Sequence, residues 1–188
     1  MKKLPLLITT FILSGCIGTS PQSQFYMLKG MNEENISEKQ LQIAVEPVKI
    51  PTYLDRPQIL SFSKDSFQLN ISETKRWAEP LNEQIQRVII SDLSRLLPKS
   101  LIRNKTFSQE KYDYVIYVDI QKLDATFNQN IELSVWWSLL DKNGNIIYKT
   151  QTVLSEKLSS ENYDDMVALE SQLIAQLSKK IAQEVSKH

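Results

Sequence analysis

Cys16 is the only cysteine in this chain of 188 residues, and the residues before it have the pattern of a removable export signal. A single thiol allows no intrachain disulfide, so the fold must rest on a hydrophobic core. Met1-Lys2-Lys3 is a short basic start, and Leu4 to Leu13 is apolar apart from Pro5 and the Thr9-Thr10 pair. Ser14 and Gly15 then bring small residues up to Cys16. A basic start, a short apolar run and small residues before a cut describe a secretory signal peptide. The run is shorter than the roughly 20 residues that span a bilayer. Residues 1–15 are therefore expected to be removed, 16–24 to form Cys16 and a polar tether, and 25–188 to fold as a single domain.

The sequence Leu13-Ser14-Gly15-Cys16 resembles the bacterial lipobox. That resemblance implies diacylglyceryl transfer to the Cys16 thiol, cleavage immediately before it, and acylation of the new amino terminus. Each buried methylene adds about 0.8 kcal/mol of membrane affinity, so three acyl chains give lasting attachment. Ile17, rather than an aspartate, follows the cysteine. An aspartate there would resemble an inner-membrane retention signal; its absence points to the periplasmic face of the outer membrane. No cofactor is expected beyond the covalent acyl chains on Cys16. The glycosylation patterns at Asn35, Asn70 and Asn104 are read as chance in a chain with a bacterial lipobox.

The chain carries 22 basic and 22 acidic residues, and removing Lys2 and Lys3 leaves it slightly acidic. That balance gives no support to nucleic-acid binding, which normally needs a basic face. Residues 16–188 are enough for one domain with a real core.

Hydrophobic periodicity supplies the elements. Phe25 to Leu28 reads as a short strand, and Leu41 to Val48 alternates as a strand with one buried face. Gln58 to Ser63 and Phe67 to Ile71 read as strands joined by a turn at Lys64-Asp65-Ser66. From Pro80, the residues Leu81, Ile85, Val88, Ile89, Leu93, Leu96 and Leu97 recur at helical spacing, with Gln84 and Asp92 expected on the polar sides. Pro98 should end that helix. Tyr112 to Phe127, Ile131 to Leu140 and Ile146 to Leu154 read as three strands, the last two joined through Asn143-Gly144. A final helix is expected from about Asn162 to Val185, capped by Asn162. The economical arrangement is a two-layer α+β domain: a mixed, mostly antiparallel sheet with both main helices on one face.

Candidate catalytic chemistry is sparse. The chain has one histidine, the terminal His188, and four glycines. No His/Cys metal cluster, no nucleophile–histidine pair and no glycine-rich phosphate loop can be assembled. Carboxylates remain: Glu73 and Glu79 bracket Trp77, and Asp164 adjoins Asp165. A glycosidase-like pair is compatible with composition, but helix-start acids and solvated surface are the simpler reading, so no enzyme is expected.

Two segments stand out. Lys49 to Leu60 contains Pro51 and Pro57, expected to hold it extended, and presents Tyr53, Asp55 and Arg56 as a recognition surface or as a rigid crossover. Lys75 to Leu81 leads into the first helix, with Trp77 either in the core or lining a groove. Trp136 and Trp137 fall on opposite faces of one strand, so one is core and the other needs cover from a helix, a partner or lipid.

The lipobox, Phe25-Tyr26-x-Leu28, Ile50-Pro51-x-Tyr53-Leu54-Asp55-Arg56-Pro57-Gln58-Ile59 and Arg76-Trp77-Ala78-Glu79-Pro80-Leu81, followed by Arg87-Val88 and Asp92-Leu93, together resemble the ABC-type transport auxiliary lipoproteins. The likeness runs in order over nearly all of 16–188. It implies a lipoprotein of an MCE-type lipid transport pathway, anchored in the outer membrane, working with an MCE-domain protein that spans the periplasm and supporting envelope integrity. It also makes a homo-oligomeric ring plausible. No catalytic residues carry over. Tyr53, Asp55, Arg56 and Trp77 carry over as motif residues, and their use as partner contacts is this reading's own expectation. The competing readings are a pilot-like assembly lipoprotein of another envelope machine, a carboxylate-dependent cell-wall enzyme, and a domain that itself holds a phospholipid.

Overall fold

The computed structural model describes residues 21–30, 35–63, 68–105 and 111–188. The expected signal, Cys16 and the Lys64-Asp65-Ser66 turn lie outside the described residues. Eight strands and two helices follow in the order β1 (Gln24–Tyr26), β2 (Gln42–Val45), β3 (Gln58–Phe62), β4 (Leu69–Trp77), α1 (Leu81–Leu96), β5 (Leu101–Asn104), β6 (Tyr114–Thr126), β7 (Asn130–Asp141), β8 (Ile146–Lys157) and α2 (Tyr163–Val185). This is the expected α+β domain with one mixed sheet.

The sheet is organised by β6. One edge of this strand pairs antiparallel with β7 over its whole length, and β7 pairs with β8 in the same way. The other edge is shared. Ile43 to Val45 of β2 lie parallel to Tyr114 to Ile116, Lys49 bridges to Asp119, and Phe62 of β3 meets Thr126. β5 adds to β2, while β4 and then β1 add beyond β3. The antiparallel pairings are long and the parallel ones short.

Alternation places Ile116, Val118 and Ile120 in the core, and with them Ile131, Leu133, Val135, Trp137 and Leu139 of β7. A one-residue bulge between Ile120 and Lys122 shifts the phase, so Leu123 and Ala125 return to the buried face. Strict alternation over Tyr112 to Phe127 would have sent those two residues to solvent. The helices cover this face: α1 packs on α2, and α2 packs on β7 and β8.

Each helix begins and ends for local reasons. Pro80 sits immediately before α1 at φ −52°, and its carbonyl accepts from the N–H groups of Glu83 and Gln84. Pro98 has no N–H to continue the ladder, and α1 stops at Leu96. Asn162 caps α2 by accepting from the Asp164 N–H at 2.9 Å, and Asp164 and Asp165 stand at the positive end of the dipole.

Three expectations need correction. Gln84 and Asp92 are buried rather than polar-side residues. They fall on the same helical stripe as Leu81, Ile85, Val88 and Ile89, and Gln84 is kept there by backbone groups that need it. The Pro51–Arg56 stretch is folded rather than extended: the Leu54 N–H donates to Pro51 O at 2.9 Å, Asp55 N–H to Thr52 O at 3.2 Å, and Arg56 N–H to Leu54 O at 2.8 Å. Pro51 presets the φ of a turn as readily as that of a strand. β4 runs on to Trp77, and β5 is an additional strand, held by its parallel partner β2 rather than by a strong pattern of its own.

Candidate partner-docking site

The three motifs separated in the sequence meet in the β1–β4–β3 part of the sheet. Phe25 pairs with Arg76 and Tyr26 with Trp77, while Gln58 pairs with Arg76 from the other side. Two backbone bonds lock the junction: the Trp77 N–H donates to Pro57 O at 2.7 Å, and the Ala78 N–H to Tyr26 O at 2.9 Å.

On this frame sits the Pro51–Arg56 turn. Leu54 is its buried foot, 6% exposed. The half-buried Tyr53 hydroxyl donates to Asp124 Oδ1 at 2.6 Å, and its ring meets Phe62 edge-on with centroids 6.5 Å apart. Burial, then the bond to Asp124, raises the Tyr53 pKa far above that of an ordinary phenol. Burial also raises the Asp124 pKa, partly countered by the Tyr53 bond and the Lys122 ammonium. Asp55 is exposed at the crest. Arg56 is half-buried, and its Nε–H has no acceptor among the described residues.

Trp77 is 6% exposed and belongs to the core cluster. Its indole cannot be presented to a partner, so the expectation of direct contact is corrected to a supporting role beneath the Pro57 turn. Sequence reasoning missed Gln84, which is fully buried and fixes the same junction. Its Oε1 accepts from the Leu28 N–H at 2.8 Å, and its Nε2 donates to Glu79 O at 2.8 Å. The signal was its place three residues after Leu81 and four before Val88, inside the apolar stripe.

The carboxylates have structural employment. Glu79 pairs with Arg87 at 3.0 Å, both about half exposed. Asp165 accepts from the Ser160 hydroxyl at 2.6 Å. Glu73 is exposed. Among the described residues, no group of three or more His, Cys, Asp or Glu side chains could hold a metal ion. His188 is not free at the chain end: its Nε2 lies 3.3 Å from Glu184. Of the two neighbouring tryptophans, Trp137 is the core residue, donating from Nε1 to the Thr152 hydroxyl at 2.9 Å. Trp136 stands on the face without helices, 40% exposed, with the Lys149 ammonium 5.7 Å from its ring centroid.

The family profile described as ABC-type transport auxiliary lipoprotein component matches residues 26–182, from Tyr26 of β1 through most of α2. The chain belongs to this family. Over 190 aligned residues, this auxiliary lipoprotein is 24% identical to the intermembrane transport lipoprotein PqiC of Escherichia coli K12, covering 100% of this chain and 99% of that protein. Its fold matches the crystal structure of an uncharacterized protein with a TM-score of 0.74 at 26% identity, covering 88% of this chain and 100% of the other. A Xanthomonas campestris protein matches with a TM-score of 0.72 at 13% identity, covering 87% and 95% of the two chains, a likeness of fold alone. No helix among the described residues of this auxiliary lipoprotein is long and apolar enough to cross a membrane.

Proposed function

We propose that this protein is an outer-membrane-anchored periplasmic lipoprotein of an MCE/ABC-type lipid transport pathway, with no catalytic activity of its own. End-to-end similarity to PqiC, an intermembrane transport lipoprotein by name, carries the reading. Cys16 is the acylated residue, 1–15 the cleaved signal, 16–24 the tether and 25–188 the working domain. The partner is an MCE-domain, PqiB-like protein that reaches across the periplasm, and several copies of this chain form a homo-oligomeric ring around its end. Support for envelope integrity follows from keeping that conduit attached to the outer membrane.

The Pro51–Arg56 turn is the proposed docking element. Asp55 is exposed at the crest of the turn, where its carboxylate is open to a partner's donor, and the half-buried Arg56 stands beside it. Tyr53 fixes the turn through Asp124, and the Trp77 N–H holds the chain just after it through Pro57 O. Crosslinking and capture from intact envelopes tests this. Arg56→Ala and Asp55→Ala chains should fold, remain in the outer-membrane fraction and lose the MCE-domain protein. Normal capture by both variants would refute the docking role. A mature chain still beginning at Met1, or lacking lipid on Cys16, would refute the anchor.

A further inference from the structure

Phe25, at 66% exposed, is the most exposed large hydrophobic among the described residues, and Met27 beside it is 39% exposed. Both line a groove of about 760 Å³ between β1 and α2, whose far wall includes Val167 and Leu169. The groove is preformed. The Leu28 N–H is held by Gln84 on α1, and the Lys29 N–H donates to the Ser171 hydroxyl on α2 at 3.1 Å. Next to Phe25 in the strand, Tyr26 belongs to an aromatic group: Tyr163 lies 6.4 Å from Tyr26 and 5.2 Å from Phe127 by ring centroids, with the Lys75 ammonium 5.9 Å from the Tyr163 ring.

The place where the anchored segment joins the fold points to the occupant. Seven residues, and so eight backbone steps, separate Cys16 from Gln24, where β1 begins. At no more than about 3.5 Å per residue they reach at most roughly 28 Å, whatever their conformation. An acylated Cys16 therefore holds the start of β1, with Phe25 next to it, within that distance of the bilayer. The exposed apolar group around Trp136 on β7 is four strand positions farther across the sheet from that entry point, at about 4.8 Å per strand. Exposed apolar side chains backed by tyrosines and a lysine have the chemistry of the membrane–water boundary, where phenols and ammonium groups stay wet and apolar ends enter the acyl region. Lys29 and Asp164 on the groove's lining carry one charge of each sign, which suits a zwitterionic phospholipid headgroup.

We propose that the β1–α2 groove seats on the surface of the membrane that holds the acyl chains, with Phe25 and Met27 inserted at the headgroup–acyl boundary. The domain then has a fixed orientation rather than hanging from its tether. This rests on Cys16 being acylated.

The chain itself supplies the test. Once Cys16 is acylated, Phe25→Cys, Met27→Cys and Val153→Cys each carry a single free thiol. All three positions are exposed, so the core is spared. Each full-length lipidated variant is nitroxide-labelled in vesicles of phosphatidylethanolamine and phosphatidylglycerol, and collisions with oxygen and a water-soluble nickel chelate are compared. Labels at 25 and 27 should show an oxygen-to-nickel collision ratio several-fold above that of the label at 153. A ratio equal to that at 153 overturns the inference. Labels shielded from both reagents also overturn it, because the groove is then covered by protein, either a second copy or a partner. Chains that do not float with the vesicles overturn the acylated anchor as well, which separates that failure from a floating chain whose labels report water.

Discussion

The Tyr53 hydroxyl donates to Asp124 Oδ1 at 2.6 Å, tying the Pro51–Arg56 turn to the central strand β6 across 71 positions of sequence. Removing the hydroxyl leaves a half-buried carboxylate short of a donor and frees one side of the turn. Tyr53→Phe should cost about 1 kcal/mol. In a domain of this size that is a fall of roughly 2–4 °C in melting temperature, read by thermal denaturation. Tyr53→Leu should cost further stability, because the edge-on contact with Phe62 is lost as well.

Gln84 is the side chain that joins α1 to the segment following β1. Gln84→Ala strands the Leu28 N–H, whose own side chain is 1% exposed, and removes the donor to Glu79 O. A buried donor without a partner costs about 1–3 kcal/mol. Urea unfolding should show that loss as a lower midpoint. Ala78→Ser, on the exposed end of the same junction, should leave the midpoint unchanged.

Glu170 lies on α2 at 2% exposure, its Oε2 has no hydrogen-bond partner among the described residues, and burial pushes its pKa up to about 8. The unfolded chain releases this proton near the ordinary value of 4.5, whereas the folded chain keeps it until about pH 8. The folded state therefore binds the extra proton between those values. Its contribution to stability is fully present below pH 4.5 and is lost as pH rises to about 8. Glu170→Gln should flatten that slope and gain most over the parent chain at pH 8 or above, with the gain vanishing near pH 4.5. Urea midpoints across pH 4.5–8.5 check the sign.

Gly144 adopts φ +83° in the β7–β8 turn, and a Cβ there would meet nothing within 4 Å. The cost of a side chain is thus conformational alone. Gly144→Ala should destabilise by about 1–2 kcal/mol, with Gly144→Asn less harmful because asparagine tolerates this region better. Thermal melts of the two variants should preserve that order.

Where the sequence was legible, a local force decided the outcome. Pro98 stops α1 because it has no N–H, Asn162 caps α2 because its side chain can accept there, and the alternation of β7 follows from one buried face. Where it was not, a long-range partner decided. Leu101 to Asn104 became a strand because Gln42 to Val45 offered an edge, and Gln84 went inward because Leu28 needed an acceptor 56 positions away. The docking surface shows both cases. Asp55 and Arg56 were visible as unusual residues and their turn closes through local bonds, but its placement against β6 and beside β4 depended on the Tyr53 and Pro57 bonds to distant strands.

The amino-acid order by itself determined the α+β class, the two helices and their ends, the strand repeats and the family motifs, because period, proline and capping act within a few residues. Only the tertiary structure decided that the three motifs share one corner, that β6 serves β2 on one stretch and β3 on another, and which polar side chains lie inside. Those choices depend on which backbone donors and acceptors are brought together by packing, and no local pattern along the chain encodes that.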